Sequence, residues 1–261
     1  MTRREANERV SSVGVLNKAN QVLGYLEKRP EAGPTEVAEA LGMNKSTAFR
    51  LLSALAQIGL LDNDPERGTY RLGLRLLELG HKVQDRLDLR RIALPHLREL
   101  AQKTGLTTFV CVRRGQDVVC LDRVAAGQVD VLELQPGGRL PLHVGGAGKA
   151  ILASLPDEEV EEYLATADLV ALTERSIVDP ASLREELRRT RARGYSESWE
   201  DVTVGIAALG AAVTDVRGEV AGAISVSGLA VMVGGPNHGE LVQALITTAK
   251  NISRQLGGKG D

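Results

Sequence analysis

Aromatic residues are scarce in this chain: two Phe, one Trp and four Tyr among 261 residues. Its core therefore has to be built from Leu, Val, Ile and Ala. Cysteine is scarcer still, and two residues exclude a disulfide framework. No apolar run approaches the ~20 residues of a membrane-spanning helix. The longest lies over Ile206–Val213 and is interrupted by Gly210. The start, Met-Thr-Arg-Arg-Glu-Ala-Asn-Glu-Arg, has no apolar stretch behind its arginines and does not read as a signal peptide. A cytoplasmic protein with no membrane partner is expected. Charge of one sign is also lacking. A net charge of −2 excludes nucleic-acid binding through bulk charge but leaves room for a small DNA-reading module. What remains, 43% hydrophobic and 25% charged residues, is ordinary for one or two globular domains.

The first ten residues read as a solvated tail. Val13, Leu16, Ala19, Val22, Leu23 and Leu26 then recur at helical spacing, and Pro30 stops the pattern. A short helix is predicted over Glu36–Leu41, with Thr35 as its N-cap and Gly42 as its stop. A further helix begins at Lys45, capped at or near Asn44. It turns Ala48, Leu51, Leu52, Leu55 and Ile58 inward and Ser46, Thr47, Arg50 and Gln57 outward. Helix, tight glycine turn, helix is the helix-turn-helix pattern. Two short extended pieces, about Leu60–Asp62 and Thr69–Leu72, flank a turn-rich loop and predict a hairpin. Three helices and a hairpin make a winged helix-turn-helix.

Residues from Gly73 to about Arg86 read as one helix and about Leu89 to Lys103 as another, in which Pro95 reads as the start of a new segment. The domain boundary is placed near Leu87. The expected divisions are a tail over 1–10, the winged helix over 11–73, a linker helix over 74–87 and a second domain over 88–261. Beyond the boundary, Thr107–Arg113, Asp117–Arg123 and Val129–Gln135 read as strands. Gly146–Leu155, Asp157–Ala165, Pro180–Arg193 and Glu240–Leu256 read as helices, and Val204–Asp215 with Glu219–Gly228 as a hairpin. An α+β domain with a central antiparallel sheet follows. The first ninety residues carry a small basic excess and the remainder a small acidic one.

In a helix-turn-helix the second helix enters the major groove with its first residues at the base edges. Lys45, Ser46, Thr47 and Arg50 offer short donors and long cations there, and Arg50 can fork onto a guanine edge. Arg67 and Arg71 of the hairpin can touch the backbone or the minor groove. With Thr35 and Asn44 these form the expected DNA-facing set. An amphipathic helix with a solvated face is the plainer alternative.

The stretch Gly137-Gly-Arg-Leu-Pro-Leu-His-Val-Gly-Gly-Ala-Gly-Lys149-Ala is not a phosphate loop. His143 stands where the first glycine is needed and Ala150 where a hydroxyl is needed. A helix starting near Gly146 still suits a small anion on the amides of Gly146 and Ala147. A glycine-rich connector needed for close packing is the alternative. Ser225 and Ser227, two apart on one strand, share a face and read either as a wet pocket or as a solvated surface. Neither sits in a nucleophile elbow. His81, His96, His143 and His238 lack partners at zinc spacing, so neither a metal nor a cofactor is expected. With Gly115-Gln116 as a two-residue turn, Cys111 faces Cys120. Reduced thiols and a redox pair both fit that placement.

Five segments taken in order resemble the IclR family of bacterial transcriptional regulators. They are Leu41-Gly-Met-Asn-Lys-Ser-Thr-Ala-Phe-Arg-Leu-Leu52, Tyr70-Arg-Leu-Gly73, Leu140-Pro-Leu-His143 with Gly146-Ala-Gly-Lys-Ala150, Arg193-Gly-Tyr-Ser196, and Ala223-Ile-Ser-Val-Ser-Gly228. The similarity spans about Val13 to Leu256. It implies a winged helix, a dimerising linker helix and a GAF-like effector domain. It also implies operator DNA bound by a homodimer or a dimer of dimers, and control of metabolic genes, usually by repression, through a small carboxylic acid of carbon catabolism. Carried over by position, the effector pocket comprises Gly146, Ala147, Ser198, Ile206, Ala208, Ser225 and Ser227, with the loop after Tyr195. Some relatives that take small keto acids have an acid at the position of Ser198 and a cysteine at that of Ala208. Their absence here implies a larger organic acid, aromatic or sugar-derived. The rival reading is a small-molecule enzyme with an accessory winged helix, whose chemistry would fall to His143, Ser225, Ser227 and Glu200 or Asp201.

Overall fold

The computed structural model describes residues 3–84, 88–126 and 134–258. They fall into two compact units, Met1–Arg86 and Leu87–Asp261, each with its own core.

The first unit runs α1 (Arg3–Glu27), α2 (Pro34–Ala40), α3 (Lys45–Gln57), β1 (Leu61–Asp64), β2 (Thr69–Leu72) and α4 (Leu74–Gln84). β1 and β2 pair antiparallel, with Leu61 opposite Leu72 and Asp64 opposite Thr69. Ala32 and Tyr70 exchange both backbone hydrogen bonds, at 3.0 and 2.9 Å, which ties the segment before α2 to the wing. Val22 and Leu26 of α1, Val37 of α2, Leu52 and Leu55 of α3, and Leu61 and Tyr70 form the core. This is the expected winged helix-turn-helix.

Three local expectations are corrected. The stretch read as a tail is helical from Arg3. It is rich in Arg, Glu and Ala, which favour helix, and contains no Gly or Pro to stop one. Thr35 is not the N-cap of α2, because that place falls to Gly33. Pro34 takes the first helical position, where its missing amide costs nothing. Glu36 accepts from the Gly33 amide at 2.7 Å, and exposed Thr35 lies inside the first turn. Ile58 is 51% exposed. The buried line of α3 runs through Ala48, Leu52 and Leu55, and the helix ends before Ile58 can join it.

The second unit begins with α5 (Asp88–Thr104) and the strands β3 (Thr107–Arg114), β4 (Asp117–Val124) and β5 (Arg139–Pro141). The helices α6 (Gly146–Ala153), α7 (Asp157–Thr166) and α8 (Pro180–Arg193) follow. The unit closes with β6 (Ser196–Trp199), β7 (Ile206–Thr214), β8 (Val220–Leu229), α9 (Ala230–Val233) and α10 (His238–Gln255). Among the described residues six strands form one antiparallel sheet in the order β5-β4-β3-β8-β7-β6. Strand alternation sends Val110, Leu209, Ile224 and Val226 into a core with α5 and α10. It sends Phe109, Cys111 and Ala223 into a second core with α6, α7 and α8. Both edge strands are short, and β5 ends in Pro141.

Pro95 lies inside α5 and does not start a new segment. Its ring is on the exposed side, so the helix keeps its buried line of Ala93, Leu97 and Leu100. β5, β6 and α9 were not foreseen. Each has three or four residues, too few to show a period. Of the strand expected over Val129–Gln135, residues 129–133 lie outside the described residues.

Candidate functional sites

In the first unit, the exposed face of α3 gathers most of the expected DNA-facing residues. Asn44 occupies the N-cap position without a side-chain capping bond, and Lys45, Ser46 and Arg50 are exposed. Thr47 is half-buried. Lys45 and Arg50 have no ion-pair partner among the described residues. The wing arginines differ. Arg67 lies 3.2 Å from Glu31 and 3.9 Å from Asp64, and Arg71 lies 3.8 Å from Asp62. Exposed pairs of this kind are worth little, so a phosphate can displace them at small cost. Phe49, which sequence reading passed over, is 55% exposed on the same face. The available signal was an aromatic out of step with the buried line of Ala48, Leu52 and Leu55.

In the second unit, all seven positions expected to line a pocket converge on one cavity. Gly146 and Ala147 come from the start of α6, Ser198 from β6, Ile206 and Ala208 from β7, and Ser225 and Ser227 from β8. Sheet register explains the convergence. Ser198 lies opposite Ala208, Ala208 opposite Ser227, and Ser227 opposite Thr107, so the row shares one face. Phe109, Val118, Leu134, Leu140 and Val202 complete a mainly apolar wall. The unfilled space, mouth included, is about 540 Å³.

Glycine has a packing role here. A Cβ at Gly210 would meet the Gly146 carbonyl oxygen at 2.2 Å, and one at Gly148 would meet that of Leu142 at 2.8 Å. α6 is pressed directly onto β7, and its first amides, which no intrahelical carbonyl can satisfy, sit at the cavity wall. The close-packing and helix-start readings of this loop thus describe the same residues.

The polar atoms of the cavity are already directed. Ser198 Oγ donates to Asp201 Oδ1, and Ser227 Oγ donates to the Ala207 carbonyl at 3.1 Å. Both hydroxyls therefore turn lone pairs toward any further partner. Thr107 Oγ1, fully buried in the same row as Ser227, has no hydrogen-bond partner among the described residues. Beside the cavity lies a buried ion pair that sequence reading also missed. Lys149 Nζ is 2.6 Å from Asp201 Oδ2, with both side chains at most 4% exposed. The Gly145 amide approaches the second carboxylate oxygen at 3.4 Å, and Ser176 Oγ donates to the Asp201 carbonyl at 2.7 Å. The signal was a lysine inside the otherwise small and aliphatic Gly-Ala-Gly-Lys-Ala-Ile-Leu-Ala.

His143 is fully buried. Its Nε2 lies 3.0 Å from the Val170 carbonyl and donates there. Its Nδ1 lies 3.0 Å from the Tyr163 hydroxyl, which also accepts from the His143 amide at 3.2 Å. Burial pushes the Tyr163 hydroxyl up to about 12. The ring is occupied in joining α7 to two loops and has no atom free for chemistry. Cys111 and Cys120 face one another as expected and are unbridged. Hydrogen bonding to Cys120, together with burial, raises the Cys111 thiol well above its usual range. Among the described residues no three His, Cys, Asp or Glu side chains group as a metal site, and no helix is long and apolar enough to cross a membrane.

Comparison with known proteins gives one answer for both units. Residues 15–65 match the family described as the IclR helix-turn-helix domain, and residues 81–254 match bacterial transcriptional regulator IclR C-terminal. The HTH-type transcriptional repressor AllR of Klebsiella pneumoniae is 33% identical over 248 residues, 94% of this chain and 90% of its own length. The crystal structure of the Thermotoga maritima IclR superposes with a TM-score of 0.75 at 30% identity, covering 94% of this chain and 99% of that one. An IclR homolog from Microbacterium hydrocarbonoxydans, solved with 4-hydroxybenzoate, superposes with a TM-score of 0.80 at 25% identity over 93% and 98% of the two chains. Regulators, not enzymes, are what both units resemble, which removes the enzyme reading. A winged helix with its cations outward, followed by a sheet-backed cavity, belongs to a ligand-responsive transcriptional regulator, and the chain is a member of the IclR family.

Proposed function

We propose that this chain is a repressor of metabolic genes, among them genes of carbon catabolism. It binds operator DNA as a homodimer or dimer of dimers through α3 and the wing, and releases it when an organic acid fills the cavity. The cavity carries this reading. An apolar body fits against Phe109, Val118, Leu134 and Leu140, and a carboxylate fits the orphan amides at the start of α6. The directed lone pairs of Ser198 and Ser227 suit a hydrogen-bond donor, such as a hydroxyl, on the same ligand. A hydroxylated acid with a ring is therefore favoured over a small keto acid. The 4-hydroxybenzoate bound by the Microbacterium homolog is of that type. DNA-binding residues are Asn44, Lys45, Ser46, Thr47 and Arg50, with Arg67, Arg71 and Thr35 at the periphery.

Anisotropy of the purified chain on the DNA upstream of its own gene, across a salt series, tests the first half. Tight, sequence-selective binding with a steep negative salt slope is expected. Calorimetry with 4-hydroxybenzoate and with glyoxylate tests the second. Heat of binding from the aromatic acid is expected, and tight binding of glyoxylate instead overturns the assignment of ligand class.

A further inference from the structure

Seven aromatic residues occur in the chain, and six of them are buried or half-buried. The seventh is Phe49, 55% exposed. At 100° per residue, Phe49 falls between Lys45 and Ser46 one turn further on, on the part of the outward face that borders the buried line, and it is exposed there. The inward line of Ala48, Leu52 and Leu55 is complete without it. Its neighbours on that face are Lys45, Ser46 and Arg50, all exposed, and the two cations lack an ion-pair partner among the described residues.

This combination selects an occupant. A protein surface that covers Phe49 also has to neutralise Lys45 and Arg50 and satisfy the start of a helix, whose partial charge is positive. The major groove of DNA does all of this at once. It presents phosphates at its rims, acceptors on purine edges, and one apolar group on its floor, the 5-methyl of thymine. Phenylalanine has no donor or acceptor, so it cannot read a hydrogen-bonding edge. What it can read is that methyl.

We infer that Phe49 is a base-reading residue of the operator interface, packing on a thymine methyl and making one position of each half-site thymine-specific. The inference rests on operator binding through α3 and adds to it a residue and the base it reads. Phe49 supplies contact without charge. It therefore contributes to sequence selectivity and not to the salt-dependent attraction that Lys45 and Arg50 provide.

The test uses the full chain. Duplexes bound from a random library are sequenced, and the enriched site is resynthesised with each thymidine replaced in turn by deoxyuridine. This removes the methyl and keeps the O4 acceptor. Affinities are read by anisotropy at fixed salt for the parent protein, Phe49→Ala and Phe49→Leu, with circular dichroism confirming that the variants are folded. One replacement is expected to weaken the parent protein about fourfold, the effect of one lost buried methyl. Phe49→Ala is expected to bind the thymidine and deoxyuridine sites equally, with an unchanged salt slope, and Phe49→Leu to retain part of the preference. If no replacement affects the parent protein, or if Phe49→Ala keeps the full preference, the inference is overturned while operator binding stands. If no sequence is enriched, operator binding itself falls and takes the inference with it.

Discussion

At the scale of single residues, the two units place charge in opposite ways. On α3, Lys45 and Arg50 are exposed and have no ion-pair partner among the described residues, so both are free to meet an anion. Arg50→Ala is expected to weaken operator binding by about tenfold, within the ~1–3 kcal/mol of a good base contact, and to leave the melting temperature unchanged. Anisotropy and calorimetry measure the two. In the second unit Lys149 and Asp201 are both withdrawn from water. Removing one partner strands the other, so Asp201→Ala is expected to cost about 3–5 kcal/mol in urea unfolding. Replacing both, Lys149→Met with Asp201→Leu, is expected to recover most of the loss because no lone charge remains. Tyr163 gives a pH signature. Burial pushes its hydroxyl up to about 12 in the folded chain, above the ~10 of a tyrosine in water. The folded state therefore holds this proton more tightly than the unfolded state. The corresponding stability is complete below pH 10 and is lost as pH rises from 10 toward 12. Denaturant midpoints across that window are expected to fall further for the parent protein than for Tyr163→Phe.

At the scale of elements, the decisive contact is α6 against β7. Gly146 and Gly210 bring two backbones together where a single methyl has no room. Gly210→Ala is expected to push α6 off the strand, lower stability by several kcal/mol and abolish ligand binding even where some folded protein remains; thermal unfolding and calorimetry read these effects. The same contact explains what could be read in advance. Ser225 and Ser227 were placed on one face by strand periodicity alone, and the register Cys111 opposite Cys120 followed from a two-residue turn. Long helices with a clear apolar line were legible too. Thr35 misled because Pro34 outranks it at the helix start, and Pro95 because its ring happens to face outward. β5 and β6 gave no signal, since three or four residues carry no period. The Lys149–Asp201 pair joins residues 52 positions apart. Nothing local to either of them indicates the other.

At the scale of the molecule, two units with separate cores imply separate responses to damage. Leu52 is fully buried in the first unit's core, and the residues named as lining the cavity all belong to the second unit. Leu52→Ala is expected to cost about 2–5 kcal/mol in the first unit's unfolding. The transition of the second unit and its ligand affinity are expected to be unaffected, as differential scanning calorimetry with and without ligand would register. The six-stranded sheet carries a further consequence. Both of its borders are short, three residues at one and four at the other, and Pro141 ends the shorter one without an amide to donate. Such borders offer a passing strand almost no ladder to extend. Edge-to-edge growth of one copy's sheet into the next therefore finds little to hold at either described border.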